Sequence, residues 1–351
     1  MRLMHGGDWA GYEEQYHRPF LDFSANISPL GVPEGVRQAI AEAAQTVDRY
    51  PDPLCRALCA AIAEREQVPA GFVLCGNGAA ELIFRAVLAR RPHRALLPAP
   101  TFAEYEAALQ TVDCVPERYY LTPENGFALD EGFLRRIVPG VDQVFLCEPN
   151  NPTGRTTSRE LLLRIAARCQ KVGALLVLDE CFNNFLDDPA AHSLVRELET
   201  NRNLLILKAF TKIYAMAGMR LGYCLCGDTG LLEAMRAAGQ PWAVSGLAQA
   251  AGLAALQETA YVRQVQNLIR TERPRLTAGL KHLGLAVIPG EANYLLFQST
   301  VPLDRLKQRG ILLRGCGNYP GLDHTWYRTA VRTREENAVL LAALREVLTD
   351  G

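Results

Sequence analysis

Lys212 and Arg220 stand eight residues apart, the lysine just beyond the apolar run at residues 204–207, so an amine and a permanent cation can face one small pocket. The pair suits a carbonyl compound that carries a phosphate. A lysine taken partly out of water keeps a nucleophilic amine near neutral pH, and a guanidinium grips a phosphate at two points. Alone the pair is ordinary, because most lysines and arginines near strand ends are solvated; three more clusters change its meaning. At residues 75–81, Cys-Gly-Asn-Gly-Ala-Ala-Glu precedes a helical run at 82–88. Its glycines let the backbone approach an anion, and the helix start aims free N–H groups at it. The spacing matches neither a nucleotide P-loop nor a full Gly-x-Gly-x-x-Gly. Glu148-Pro149-Asn150-Asn151-Pro152-Thr153-Gly154 follows the apolar run 144–146. Its composition suits a turn, and at a strand end a fixed carboxamide donates to a phenolate oxygen or a carboxylate. Asp179-Glu180 closes the run 175–178. A lone buried carboxylate is costly. A pyridinium nitrogen is a natural partner for Asp179, which then keeps the ring protonated as an electron sink, the requirement of pyridoxal phosphate chemistry.

Elements of two kinds must position these groups. Short apolar runs at 72–74, 95–97, 144–146, 175–178, 204–207 and 221–224 alternate with helix patterns, and their continuous hydrophobicity predicts a mostly parallel α/β sheet buried on both faces. Functional groups then collect at the carboxyl ends of the strands. Residues 33–47, opened by Pro33, and 53–66 read as amphipathic helices, with Cys55 and Cys59 on the second. Beyond about residue 240, helices at 247–256 and 261–283, strand patterns at 293–297, 311–313 and 327–331, and a terminal helix at 334–348 read as a smaller α+β unit. The expected division is an N-terminal arm at 1–32 that reaches the active site, a large domain at 33–239 and a small domain at 240–351.

Size and charge exclude several functions. At 351 residues the chain exceeds what one core usually serves, and 49% hydrophobic residues with a net charge of -1 favour neither nucleic acid nor an anionic membrane as partner. No run approaches the ~18 uninterrupted apolar residues that span a bilayer, and residues 1–8 lack a signal peptide's apolar core. A cytoplasmic location with reduced thiols is expected for the ten scattered cysteines, and no metal site is expected because neither a Cys-x-x-Cys nor a histidine pair occurs.

Asn150-Asn151-Pro152-Thr153-Gly154, Asp179 at 28 positions beyond Asn151, Lys212 after 33 more and Arg220 after a further 8 together resemble the fold-type I pyridoxal phosphate enzymes of the aminotransferase I/II family. The likeness covers the whole chain, since Pro100-Thr101-Phe102 and Asn293-Tyr294 fall in the same order. It implies a large domain with a mostly parallel central sheet and a smaller C-terminal domain. It also implies that Lys212 carries the cofactor covalently, Asp179 pairs the pyridine nitrogen and Asn151 bonds the ring's 3-oxygen. Phe102 would stack on the ring, while Gly78, Ala79, Ala80, Thr211 and Arg220 hold the phosphate. Tyr50, in Arg49-Tyr50-Pro51, matches a tyrosine that reaches the neighbouring protomer's phosphate, which implies a homodimer. The sequence departs from the family at Ala209, where a serine or threonine often adds a hydroxyl to the phosphate, and at Ala79-Ala80, which replaces more polar pairs.

Within the family the chain is similar to two groups, the histidinol-phosphate aminotransferases and the L-threonine O-3-phosphate decarboxylases of cobalamin biosynthesis. Three segments resemble the decarboxylases: His5-Gly6-Gly7 with residues 22–31, Arg314-Gly315-Cys316-Gly317-Asn318-Tyr319-Pro320-Gly321-Leu322-Asp323, and Phe182 where the aminotransferases usually have a tyrosine. Read as residues alone, these are equally a chain terminus, a surface turn and a packing residue. The resemblance implies that His5, Ser24, Asn26 and Arg314 bind the phosphate of a small phosphorylated amino acid, which needs several donors and a fixed cation. Arg328 matches the position that grips the substrate carboxylate; Arg332 and Arg334 are nearby alternatives. The reaction expected is decarboxylation of phosphothreonine, with amino transfer from histidinol phosphate to 2-oxoglutarate as the alternative.

Overall fold

The continuous apolar runs become a seven-stranded sheet in the order Val73–Gly76, Gly222–Cys226, Leu204–Ala209, Leu175–Asp179, Gln143–Cys147, Ala95–Ala99 and Glu117–Tyr120. The structure is a computed structural model and describes residues 6–349. Gly222–Cys226 runs antiparallel to both neighbours, and the other strands share one direction. The central strands are buried along their whole length, which explains why they read as unbroken apolar runs. Leu204 and Ile206 join the core on one face with Leu58, Ile62 and Ile165; Leu205 and Leu207 join the core on the other with Leu82, Ile83 and Met235. Each such leucine contributes roughly 1.5–3 kcal/mol on burial. Glu117–Tyr120 was not expected from the sequence: at the sheet edge its residues alternate between half-buried and exposed, so it has no apolar run.

Two helices differ from the expected bounds. The helix expected from 53 begins at Arg56, because the Asp52 carboxylate accepts from Leu54 N at 3.1 Å and Arg56 N at 2.7 Å and folds residues 52–55 into a turn. Cys55 then precedes the helix at a φ of 50°, and Leu54 is exposed. The helix expected from 33 spans Glu34–Ala43, with Pro33 as its cap and Val47 exposed beyond it.

The C-terminal part builds an antiparallel sheet in the order Arg314–Gly315, Trp326–Ala330, Tyr294–Gln298 and Ala286–Val287. Helices Thr259–His282 and Arg334–Thr349 share its core through Ile269, Leu276, Leu340 and Leu344. Helix Gly246–Gln257, by contrast, packs on Glu34–Ala43 and Arg56–Glu66. The N-terminal arm is tied to the small sheet: Leu21–Asp22 pairs in parallel with Ile311–Leu312, and Ala330 N donates to Phe23 O at 2.8 Å. That attachment carries Ser24 and Asn26 to the mouth of the large sheet.

All ten cysteines are free, Cys59 Sγ lying 3.7 Å from Cys75 Sγ. Among the described residues no group of three or more His, Cys, Asp or Glu is placed to hold a metal, and no helix is long and apolar enough to cross a membrane.

Candidate active site

A cavity of about 430 Å³ opens where the carboxyl ends of the parallel strands meet the arm and the small sheet. Each strand contributes the group that follows it. Leu175–Asp179 ends in Asp179, Gln143–Cys147 leads to Asn151, Ala95–Ala99 to Phe102, and Leu204–Ala209 to Thr211 and Lys212 on the short helix Phe210–Ile213.

Asp179 is buried, and its carboxylate is held on both oxygens: Oδ1 accepts from Cys181 N at 3.0 Å and Oδ2 from the Tyr105 hydroxyl at 2.8 Å. Burial pushes its pKa up, and the bonds from Cys181 and Tyr105 and the Lys212 charge oppose that rise. Lys212 is half-buried because the cavity itself reaches it. Its amine still lies against the protein wall, 5.5 Å from the centre of the Phe182 ring, and desolvation, with the charges of Arg328 and Arg220, pushes its pKa down. A larger share of neutral, nucleophilic amine at neutral pH follows.

The two adjacent asparagines divide their work. Asn150 locks the loop, accepting from Thr101 Oγ1 at 2.9 Å and donating to Pro100 O and Thr153 Oγ1 at 3.0 Å each. Asn151 faces the cavity, and its Oδ1 accepts from Arg328 Nη1. Its amide N–H donors have no partner among the described residues, and they are the half of the group that a phenolate oxygen needs.

At the other side, helix Gly78–Arg90 begins without a side-chain cap, so its first N–H groups, at Ala79 and Ala80, remain for an anion. Gly78 sits at a φ of 80°, and a Cβ there would come within 2.5 Å of Arg220 Nη2. Gly222 is needed for the same reason, a Cβ on it reaching 2.5 Å from Ala79 N. Arg220 lines the cavity and pairs with no carboxylate among the described residues. Glu81 braces this turn, accepting from Asn77 N at 2.6 Å and from Arg85 Nη2 at 2.6 Å. Gly78→Ala is expected to weaken pyridoxal phosphate binding about tenfold or more, read by titrating the cofactor-free protein and following visible absorbance. Unchanged affinity with an unchanged circular dichroism spectrum would show that the close approach is unimportant.

Of the expected substrate residues, Ser24, Asn26, Arg314 and Arg328 all line the cavity, and His5 lies outside the described residues. Arg328 is buried; it donates to Ser24 O at 2.7 Å, and Asn26, with its carboxamide oxygen turned inward, accepts from Arg328 Nε at 3.2 Å and Nη1 at 3.3 Å. Arg314 lies opposite Arg328 in the strand register, its guanidinium 5.5 Å from the Tyr319 ring centre. The Ser24 hydroxyl differs from its expected use: it donates to Asp22 Oδ1 at 2.6 Å and accepts from Gly7 N at 2.7 Å, so its proton is committed within the arm. Arg332 bonds Asp22 O and Glu336, Arg334 is exposed at a helix start, and neither lines the cavity. Ala209 lines the cavity and adds no hydroxyl. Tyr50 is 83% exposed, outside the cavity and against the exposed Trp242 ring at 4.8 Å.

Sequence reasoning passed over Glu104, Cys147 and Cys181 in the lining and Tyr105 behind it. Tyr105 had one available signal, its place three residues after Phe102 at the start of helix Glu104–Gln110. Among the described residues the lining holds four basic side chains, Lys212, Arg220, Arg314 and Arg328, against two carboxylates, Glu104 and Asp179. An amine with a depressed pKa, a held carboxylate, an open carboxamide and a guanidinium with no carboxylate partner among the described residues, beside a glycine cradle, fit the parts of pyridoxal phosphate, and the other two arginines add positive charge to the same cavity.

Comparisons with known proteins agree with this arrangement. Residues 18–344 match the family model described as aminotransferase class I and II. The chain is 42% identical to the threonine-phosphate decarboxylase of Salmonella typhimurium over 94% of its length and 91% of the relative's. It is 35% identical to the histidinol-phosphate aminotransferase of Symbiobacterium thermophilum, covering 94% and 91% of the two chains. Among solved structures, the histidinol-phosphate aminotransferase of Clostridium acetobutylicum superposes with a TM-score of 0.88 at 28% identity, covering 94% of this chain and all of that one.

Proposed function

The chain belongs to the aminotransferase class I and II family, and from that premise we propose that it decarboxylates L-threonine O-3-phosphate to (R)-1-aminopropan-2-yl phosphate and carbon dioxide, a reaction that serves cobalamin assembly. Its cofactor is pyridoxal 5'-phosphate. The observation that carries the reading is the pair of guanidiniums, Arg314 and Arg328, in register on neighbouring strands of one cavity. Two fixed cations beyond Arg220 suit a substrate with two anionic ends, a carboxylate and a phosphate. The 42% identity to a threonine-phosphate decarboxylase supports the same substrate class. Phe182 supports decarboxylation over amino transfer: it faces the amine with a bare ring, packed edge-on against Tyr294 at 5.0 Å, where the aminotransferases usually present a hydroxyl.

When bound, the cofactor supplies an electron sink for a bond broken at the substrate Cα. This chain's residues decide which bond that is. Arg314, aided by Asn26, anchors the substrate phosphate, and Arg328, oriented by its bonds to Asn151 and Ser24 O, holds the carboxylate. Two anchors define the rotation about the Cα–N bond, and only the bond standing perpendicular to the conjugated ring breaks readily. The pair of electrons left by carbon dioxide is taken up at Cα with a proton, which the Lys212 amine in the lining or water would supply. With the cofactor bound, Asp179 would hold the proton at the ring nitrogen, Asn151 would donate to the ring oxygen, Gly78, Ala79, Ala80, Thr211 and Arg220 would grip the phosphate, and Phe102 would cover the ring.

A homodimer is part of this reading. Tyr50, Trp242 and Leu54 are large apolar residues left exposed, and the first two touch. A second copy would cover them and receive Tyr50 at its own cofactor phosphate. A cytoplasmic location accords with ten unpaired thiols.

Incubation with phosphothreonine should release carbon dioxide stoichiometrically with the amino alcohol phosphate, with no requirement for a keto acid. Rapid amino transfer from histidinol phosphate to 2-oxoglutarate, and no carbon dioxide from phosphothreonine, would overturn the assignment.

A further inference from the structure

We propose that Tyr105 is a positioning residue that keeps Asp179 as a carboxylate aimed at the cofactor ring, so that the proton shared between them stays on the ring nitrogen. The proposal rests on the pyridoxal phosphate reading of the cavity. Tyr105 does not line that cavity, so it touches neither cofactor nor substrate and acts only through its neighbours. Its hydroxyl donates to Asp179 Oδ2 at 2.8 Å in a fully buried contact between residues 74 apart in sequence. The donor is rigid. The Tyr105 ring stacks on Phe145 with centres 4.9 Å apart and planes 16° apart, and meets Phe102 edge-on at 5.6 Å and 84°. Phe102 is the ring that covers the cofactor, so one buried phenol supports both the group beneath the ring nitrogen and the group on the ring's face.

The electrostatics give that contact a direction. The ionisable groups around Asp179 include Tyr105, Cys147, Cys181, Lys212 and Tyr294. Burial alone drives the aspartate toward its neutral form, and the Tyr105 and Cys181 hydrogen bonds and the lysine's charge oppose it. Burial and the Asp179 charge also push the Tyr105 phenol well above its ordinary pKa, so it remains a donor at working pH. Without that donor one oxygen of a buried carboxylate loses its partner, and the carboxyl competes better for the ring's proton. A neutral pyridine facing a neutral acid is the weaker electron sink.

Tyr105→Phe removes the hydroxyl and keeps both ring contacts. Wild type and variant loaded with pyridoxal phosphate labelled with 15N in the ring should differ near neutral pH: the wild-type signal falls at the protonated position, and the variant's moves toward that of unprotonated pyridine. Cofactor dissociation should rise about tenfold with little change in melting temperature. Should the variant fail to fold, 3-fluorotyrosine at position 105, a stronger donor, should keep the ring nitrogen protonated to a higher pH than in the wild type. Nitrogen signals that match the wild type in cofactor-loaded variants overturn the role given to Tyr105 and leave the cofactor reading intact. A wild type that takes up no pyridoxal phosphate overturns both.

Discussion

Replacing Lys212 by alanine is expected to abolish turnover, by about ten-thousand-fold or more, and to remove the visible band at about 400–430 nm that accompanies covalent attachment of pyridoxal phosphate. Among the described residues Lys212 is the single lysine in the cavity lining. The nearest lysine in sequence, Lys208, points to other partners, Glu66 and Glu180. The fold should survive the change. Burial works against the Lys212 charge, and the Arg328 and Arg220 guanidiniums add to that effect, so losing the ammonium relieves a cost and unfolding free energy should move by no more than about 1 kcal/mol. Absorbance, phosphothreonine turnover and urea unfolding of the same preparation check all three outcomes. A variant that keeps the band or a tenth of the activity would place the covalent anchor elsewhere.

Lys208→Met is expected to be the most damaging single change to stability, at about 3–5 kcal/mol, although Lys208 touches no part of the cavity. Its ammonium donates to Glu66 Oε2 at 2.9 Å and faces Glu180 Oε2 at 3.5 Å, and Tyr223 donates to Glu66 Oε1 at 2.6 Å. Burial works against the Lys208 charge, and the two carboxylates more than offset it, holding the ammonium above its ordinary pKa. Burial pushes the Glu180 pKa up; the facing ammonium and the donors of Leu194 at 3.0 Å and Ser193 at 2.8 Å oppose that rise. Methionine fills the space and leaves two carboxylates without a counter-charge. Urea midpoints should fall accordingly, and adding Glu66→Gln and Glu180→Gln to Lys208→Met should restore part of the loss. A loss below about 1 kcal/mol would show that water reaches the site and screens it. Because Glu180 follows Asp179 directly, this ion cluster also anchors the end of the strand that presents Asp179.

The groups that gather in the cavity from the strand ends were legible in the sequence because each follows an apolar strand. Asn151, Asp179 and Lys212 close runs that are buried on both faces, and the chain direction of a parallel sheet brings such ends together. Glycines at 76 and 78 marked the anion turn, although only the fold shows that Gly78 is required by its φ of 80° and Gly222 by the approach of the Ala79 backbone. The edge strand Glu117–Tyr120 stayed hidden because a half-exposed edge leaves no apolar run. Helix Arg56–Glu66 was expected three residues too early because a side-chain bond from Asp52, invisible to periodicity, reshapes its entry.

Substrate residues were harder to read. Arg328, Arg332 and Arg334 are close in sequence and chemically identical, yet the first lies within the strand Trp326–Ala330 and faces the cavity, while Arg332, past its end, is spent on Asp22 and Glu336. Ser24 was expected to offer a hydroxyl and instead offers its carbonyl to Arg328 across 304 residues.

The sequence by itself determined the two kinds of element, the strand ends at which chemistry collects, and the cofactor that Lys212, Asp179, Asn151 and Arg220 imply. Those are short-range properties: hydrophobic period, turn composition and position relative to a strand. The tertiary structure alone decided which arginine enters the cavity, that Tyr105 holds Asp179, and that Lys208 is a buried ion partner and not a second amine for the site. Each depends on side chains brought together from 28 to 304 residues apart, and the strength of each bond is set by how completely the surrounding packing excludes water.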